Sequence, residues 1–457
     1  MMNSMDAVPL PTDDGLGREV ERALAKGPRT AAQLTTALGV SQPTLSRTIQ
    51  ALSQTVTSFR VTGQRTPLYG LLRPLPMGLN PRQRIHRYLG KGHIRPFADV
   101  EFLAGGATLE RAGSVTTLYE GLPPYMAFAA PSGFLGRLLA REAARSLLFP
   151  ASLKDWSDEH RVAYLFTQGL NLPGNLVFGD VSLQKEMELR AAAPIPAAKK
   201  LAHFTEMASA LKAAAYGSSA GGEQPKFLSL TEDSGHVIVK FAKLGSRMAE
   251  LLPLEHLALR ALHEIGVPAA PTQLLAAGDH VFLEVARFDR VGPTGRIGML
   301  SAGSIDDESF GMRDSWPEFA ARCVQAKVLP SSDARHIDTM AAFSELIGNT
   351  DRHFENISLL IGEDGEYKGI APAYDILPMR YASIGGGMDP DLTPIEPKIG
   401  TIGPKPEIWE QAARAAERFW LSAQTEALPA PLSQEMRRLA VRNLDVARTF
   451  VAPLLSA

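Results

Sequence analysis

The 457-residue chain holds a single cysteine, Cys323. No internal disulfide can form, and no cysteine pair is present to build a zinc site. That economy suits a reducing cytoplasm. Net charge is also nearly absent, at −2. The molecule as a whole is therefore no polyanion binder, and any nucleic-acid surface must be local. No apolar run approaches the roughly 20 residues that a membrane helix needs. The opening stretch, Met1 to Gly15, carries Asp6, Asp13 and Asp14 with neither a basic flank nor an apolar core. It does not read as a signal peptide. The expectation is a soluble cytoplasmic protein with no membrane partner. Fixed-period repeats are missing too, as is any low-complexity tract beyond a few Ala-rich stretches.

What is present divides into regions. Residues 1–75 read as helices followed by strands. Residues 76–200 are mixed α/β, punctuated at Pro81, Pro96, Gly105, Gly106, Pro123, Pro124, Pro150, Pro173 and Gly174. Residues 201–295 begin with strands, and residues 296–457 end in helices around 409–421 and 432–450. A length of 457 residues allows two or three domains.

In the first region Val20, Leu24, Leu34 and Leu38 fall at helical spacing. Gly27 and Pro28 end one helix, and Thr30 can cap the next. Gly39 then makes a turn, Ser41 caps, and Pro43 stands in the first turn of a short polar helix. This is the helix-turn-helix pattern. Leu45, Ile49 and Leu52 would face the core. Gln42, Thr44, Ser46, Arg47 and Gln50 would face solvent, where they suit phosphates and base edges. Val56 to Arg60 and Pro67 to Leu72 read as two strands of a wing whose turn holds Arg65. Between Gly15 and Pro74 there are eight basic residues and two acidic ones. Such a patch is what counterion release on DNA requires, although many winged helices serve protein contacts instead.

Four segments further on carry chemistry. Tyr216 to Phe227 holds Ser218, Ser219, Ala220, Gly221, Gly222, Gln224 and Lys226. Its small residues would let backbone N–H groups approach a phosphate. It is neither a Walker A loop nor a dinucleotide fingerprint. His236 to Phe241 reads as a strand delivering Lys240 from an apolar stretch, as a phosphate-clamping lysine or as a solvated strand end. Glu255 follows on a helix and could pair with it, with Glu250 and Glu264 as rivals. Leu283 to Arg290 suits a hinge that reads adenine with its backbone, or else an edge strand. The strongest segment runs from Leu346 to Ile361. Its Asp351 and Asn356 have the spacing of a phosphotransfer loop, in which an aspartate accepts the hydroxyl proton and an asparagine holds magnesium. A hairpin of 357–361 and 366–370 leads to Asp375, placed for a second metal carboxylate. As plain structure, Asp351 and Asn356 would be loop caps and Asp375 a turn residue. His353 could touch phosphate or be structural.

Taken together, these segments resemble the HipA family of bacterial toxin kinases, from about residue 170 onward. The most specific pieces are 342–361, 371–377 and 286–290. The layout resembles the longer branch with a winged helix in front. The resemblance implies an α+β multidomain chain: a winged helix-turn-helix, then a bilobal protein-kinase fold with an all-α C-lobe. It implies an ATP- and Mg2+-dependent Ser/Thr kinase with Asp351 as base and Lys240 on the phosphates. Asn356 and Asp375 would hold magnesium. Residues 220–226 would cradle phosphates, while Phe288, His353 and Tyr374 would line the nucleotide. Ser218 or Ser219 would be autophosphorylated. The implied partners are DNA, a separate antitoxin, and a protein substrate such as an aminoacyl-tRNA synthetase or another translation factor. Two departures stand out: Ala286 replaces a frequent glutamate, and Glu355 replaces a frequent lysine. Two other functions fit the same residues, a transcriptional regulator whose kinase-like part senses a nucleotide and a small-molecule phosphotransferase.

Overall fold

The structure, a computed structural model, describes residues 13–215, 224–384 and 388–456. It is a mixed α and β, multidomain chain. The first unit comprises α1 (Asp13–Leu24), β1 (Arg29–Thr30), α2 (Ala31–Leu38), α3 (Gln42–Ala51), β2 (Val56–Phe59) and β3 (Leu68–Leu71). The caps follow the sequence closely. Thr30 and Gln33 form a reciprocal capping box on α2, Gly39 ends α2 at φ 66°, and Ser41 accepts from Thr44 N. Val20, Leu24, Leu34, Leu45 and Ile49 make its core. The sequence reading missed β1, which pairs with Leu68 and Tyr69 to set the sheet order β1-β3-β2.

This unit is fastened to the next. Leu72 bridges Leu103, and Thr62 exchanges hydrogen bonds with Thr116 at 2.9 and 2.8 Å. Phe59, Leu72, Leu103 and Leu109 share one apolar cluster. Gly70 lets the two units close on each other, because an added Cβ would lie 2.8 Å from the end of the Leu103 side chain.

The second unit holds β4 (Arg82–Tyr88), β5 (Ile94–Phe102), β6 (Thr108–Ala112), β7 (Val115–Tyr119), α4 (Pro124–Ala129), α5 (Gly133–Ser146), α6 (Asp158–Gln168), β8 (Leu176–Phe178) and α7 (Gly179–Arg190). Its sheet has the order β7-β6-β5-β4-β8. One face packs Ile85, Val100 and Phe102 against Val162, Leu165 and Phe166 of α6.

Then come α8 (Lys200–Ala215), β9 (Lys226–Thr231), β10 (Gly235–Lys243), α9 (Arg247–Glu264), β11 (Thr272–Ala277), β12 (His280–Ala286), β13 (Arg290–Val291) and β14 (Gly295–Arg296). The main sheet has the order β11-β12-β10-β9. Strand β12 is thus internal, which removes the edge-strand reading of 283–290. Alternation on β10 divides two jobs. Val237, Val239 and Phe241 pack on Phe204 of α8, while Lys240 points to the other face, where α9 lies.

The last part contains β15 (Gly298–Ser301), α10 (Ala302–Ser309), α11 (Trp316–Gln325), α12 (Ser331–Ile347), β16 (Ser358–Ile361), β17 (Tyr367–Ile370), α13 (Pro406–Thr425) and α14 (Gln434–Leu455). The all-α expectation is corrected here: β15, β16 and β17 form a three-stranded antiparallel sheet. Residues 298–301, Gly-Met-Leu-Ser, gave no strand signal of their own and become a strand by pairing with the hairpin. The large core behind it joins α9, α12, α13 and α14 around Phe343, Trp409, Phe419 and Trp420. Each buried indole N–H finds a carbonyl: Trp316 on His353, Trp409 on Gly403 and Trp420 on Leu346, at 2.9–3.1 Å.

Candidate active site

Lys240 is the centre of the site. It is buried, and its Nζ contacts Glu255 of α9 at 2.5 Å and the carboxylate of Asp375. Burial disfavours its charged form, but Asp375 and Glu255 outweigh that and hold the ammonium charged. Asp375 feels the same balance in reverse: burial would raise it, yet Lys240 and Lys226 keep it well below the usual carboxylate range. Burial, with Asp375 adding to it, raises Glu255 against the opposing pull of Lys240. Glu250 instead pairs with Arg247, and Glu264 with Arg418. Lys226 faces Lys240 across the β9–β10 pairing. Asp375 sits at φ 54°, a left-handed conformation that aspartate adopts more readily than most residues.

The loop after α12 supplies the second half. Gly348 ends α12 at φ 77°. Asn349 Oδ1 accepts from Asp351 N at 3.1 Å, and Asn356 Nδ2 donates to Asp351 O at 2.9 Å. Asp351 is therefore gripped by its backbone while its carboxylate stays about half exposed. Arg352 anchors the loop on Glu345 at 2.6 Å. His353 bridges, with Nε2 3.7 Å from Asp351 and Nδ1 3.3 Å from Glu355. Its hydrogen bond to Glu355 raises the imidazole above its ordinary value, against the effect of burial. Glu355 falls to about 2, first through His353 and then through Arg313, which pairs with it at 2.5 Å. Arg313 thus brings a cation to the position where Glu355 removed one. Gly303 leaves room for the pair, since a Cβ there would stand 2.4 Å from Glu355 Oε1.

Tyr374 shares a hydrogen bond with Ser358 Oγ at 2.7 Å and donates to Glu355 O at 2.8 Å. Its ring lies 5.7 Å from that of Phe288. Lys240, Asp375, Asp351, Asn356, His353, Tyr374 and Phe288 are thus linked in one constellation. Ser218, Ser219, Ala220, Gly221 and Gly222 lie outside the described residues. Gln224 and Lys226 lead into β9.

The sequence reading missed the role of residues 287–290. Asp289 is buried and takes hydrogen bonds from Arg287 at 2.7 Å, Arg290 at 2.6 Å and Gly174 N at 2.8 Å. Both arginines also hold Asn171 Oδ1, at 2.8 and 3.0 Å. Burial would raise Asp289, but the two arginines force it far below its usual range. Three charges within four residues were the available signal. Their partners, at 171–174, lie more than 110 residues away, so no local pattern could reveal them.

In the first unit Gln42, Ser46, Arg47 and Arg65 are exposed. Thr44 departs from expectation. It is half-buried, and its hydroxyl lies 2.9 Å from Ser41 Oγ within the cap. Arg73 is buried over the Phe102 ring and pairs with Glu159, so it leaves the basic surface.

Comparison with known proteins gives two family matches: residues 218–440 to the HipA-like C-terminal domain and residues 79–187 to the middle domain of YjjJ-like toxins. The first covers the constellation around Lys240 and Asp351, the second the β4–β8 sheet. The chain is also 32% identical over 434 residues to Toxin YjjJ of Escherichia coli strain K12, covering 92% of this chain and 95% of that one. The chain belongs to the HipA family of toxins, in its YjjJ-like branch. Among solved structures it is similar to a chain of the Shewanella oneidensis MR-1 complex of HipA, HipB and operator DNA. There the identity is 15%, the TM-score 0.48, and the match covers 82% of this chain and 99% of that one. The Helicobacter pylori proinflammatory kinase CtkA gives 11% identity and a TM-score of 0.37, over 50% of this chain and 93% of that one. Among the described residues no helix is long and apolar enough to cross a membrane.

Proposed function

We propose that this toxin is an ATP- and Mg2+-dependent protein Ser/Thr kinase that carries its own DNA-binding domain. The observation that carries the reading is the convergence of Lys240, Glu255 and Asp375 beside a loop that presents Asp351 and Asn356. A nucleotide sensor would need the lysine but no exposed base. The donors suit magnesium: Asp375 stays ionised, and Asn356, whose Nδ2 is used on Asp351, keeps an amide oxygen for a ligand. Magnesium takes few protein ligands and completes its shell with phosphate and water. When bound, it neutralises charge on the phosphates.

The chain's own residues do the rest. Lys240 gives a fixed positive point for phosphate oxygens, held there by Glu255. Asp351 accepts the proton of the incoming hydroxyl. His353 and Glu355 flank Asp351, and Phe288 with Tyr374 would border the base. Residues 220–226 would cover the phosphates, and Ser218 or Ser219 would receive phosphate in an autoinhibitory reaction.

The domain reading assigns 1–75 to a winged helix, 76–200 to a mixed subdomain, 201–295 to an N-lobe core and 296–457 to a C-lobe. Helix α3 would enter the DNA major groove with Gln42, Ser46 and Arg47, and Arg65 would touch the backbone. A separate antitoxin and a translation-factor substrate are part of this reading. The reducing interior implied by the lone cysteine suits the cytoplasm.

The test is incubation with labelled ATP and magnesium beside Asp351→Asn, reading phosphate by mass spectrometry. Label on Ser218 or Ser219 that disappears in the variant is the expected result. An unlabelled wild type that still binds ATP would defeat the kinase reading in favour of the regulator.

A further inference from the structure

A second cationic site lies apart from the cleft around Lys240. A cavity of about 170 Å³ opens between the end of α7, residues 228–230 of β9 and the β13–β14 hairpin. That is well above the ~10–15 Å³ needed by one water. Arg190, Arg290 and Arg296 line it with His236, and Glu186 is the one carboxylate in its wall. Arg287 stands behind Arg290, and Asp289 lies between them. Four guanidinium groups thus face two carboxylates. The field is felt nearby: His236 is held below its ordinary value by burial, and Arg290, Arg287 and Arg296 push it further down.

The pairing inside the cavity is incomplete. Arg296 is buried, and its Nη2 contacts Glu186 at 2.5 Å. Its Nη1 and the Ser229 hydroxyl have no hydrogen-bond partner among the described residues. Arg190 donates to the Gly92 carbonyl at 3.1 Å. Arg190 and Arg296 both stack on Tyr88, at 5.0 and 4.4 Å, which fixes their planes. The buried Arg296 guanidinium, with its spare Nη1 donor beside unbalanced positive charge, suits a tetrahedral oxyanion, which accepts forked hydrogen bonds.

We propose that this cavity is an anion site that takes a phosphate group, separate from the lysine centre. On β10, His236 precedes Lys240 by four residues and shares its face, about 13 Å further back along the strand. The walls come from the second unit and from the Lys240 sheet, so a bound phosphate ties the two together. The proposal needs no phosphotransfer and stands if the kinase reading fails.

The experiment is isothermal titration of the full chain with inorganic phosphate and, separately, adenosine 5′-monophosphate, at constant ionic strength. It compares wild type with Lys240→Met, Arg190→Gln and Glu186→Gln. Expected is phosphate binding of equal strength in wild type and Lys240→Met, at least about tenfold weaker in Arg190→Gln and tighter in Glu186→Gln. Within Lys240→Met, tighter binding of the nucleotide than of phosphate would make the group part of a larger ligand. The reverse order would make it free phosphate, and either order supports the site. Absence of phosphate binding overturns the proposal. So does binding lost in Lys240→Met, or binding equal in wild type, Arg190→Gln and Glu186→Gln. Arg190 is only partly buried and Glu186→Gln keeps an acceptor for Asn171 N; circular dichroism of all three variants, Lys240→Met included, shows that each is folded before it is titrated.

Discussion

Replacing Lys240 with methionine should destabilise the protein in a way that depends on pH. In the native chain Lys240 lies between Glu255, which is fully buried, and Asp375. Methionine keeps most of the volume but leaves two carboxylates without their shared cation. Removing one partner of a buried ion pair costs about 3–5 kcal/mol. That cost applies while both carboxylates remain ionised. Burial already raises Glu255, and losing Lys240 raises it further. Asp375 loses the main influence that held it down. A carboxyl whose folded pKa exceeds its unfolded value stabilises the fold while protonated. That contribution is lost as pH climbs from the unfolded value, about 4.3 for glutamate, through the folded one. The penalty in Lys240→Met should therefore approach about 3–5 kcal/mol at pH 8 and fall to less than half of that at pH 5. Urea denaturation followed by circular dichroism measures both. Adding Glu255→Gln should flatten the pH dependence, because the amide cannot ionise. A penalty equal at pH 5 and pH 8 would refute the reasoning, since it would mean that the carboxylates never shared an uncompensated charge.

Three more expectations can be checked directly. On the proposed DNA-binding reading, Arg65→Ala should weaken DNA binding across unrelated sequences and lower the salt slope by about one, which fluorescence anisotropy at several salt concentrations reads; an unchanged slope would remove Arg65 from the backbone. Nuclear magnetic resonance of labelled histidine should show His353 titrating above the ordinary value near 6.5, moving down in Glu355→Gln; an unmoved midpoint would separate the two residues. Gly295→Ala should cost about 1–3 kcal/mol as an overpacked site, because its Cβ would lie 2.0 Å from the Gly90 carbonyl oxygen, a rigid backbone atom. Thermal unfolding within error of wild type would mean that the β13–β14 hairpin yields freely.

The elements legible in the sequence were those whose causes are local. Helix α3 followed from Ser41 as cap and Pro43 in the first turn, and its buried Leu45 and Ile49 repeat at helical spacing. The β16–β17 hairpin followed from apolar runs around Glu363, Asp364 and Gly365. Strands β1 and β15 were not legible. Arg29 and Thr30 are a strand only because Tyr69 and Leu68 lie beside them, and 298–301 only because 358–361 do. A two-residue strand leaves no period to read, and a strand made by its partner carries its information in the partner.

The constellation around Lys240 shows the same division at the level of charge. Spacing within one segment brought out Asp351 and Asn356, and it named Glu255 with Glu250 and Glu264 as rivals. The choice among the three was made by packing: Glu250 lies near Arg247 and Ser433, Glu264 near Arg418, and only Glu255 faces the sheet. The arginines around Asp289 show it too. Read locally, 283–290 was a hinge or an edge strand, and nothing in it pointed to the burial of its charges. Buried against 171–174, the same residues become a staple whose carboxylate is more than matched by its cations. An excess of buried positive charge is costly unless something answers it. Glu186 answers Arg296 only in part, and the cavity beside it is where the remaining counter-charge would fit.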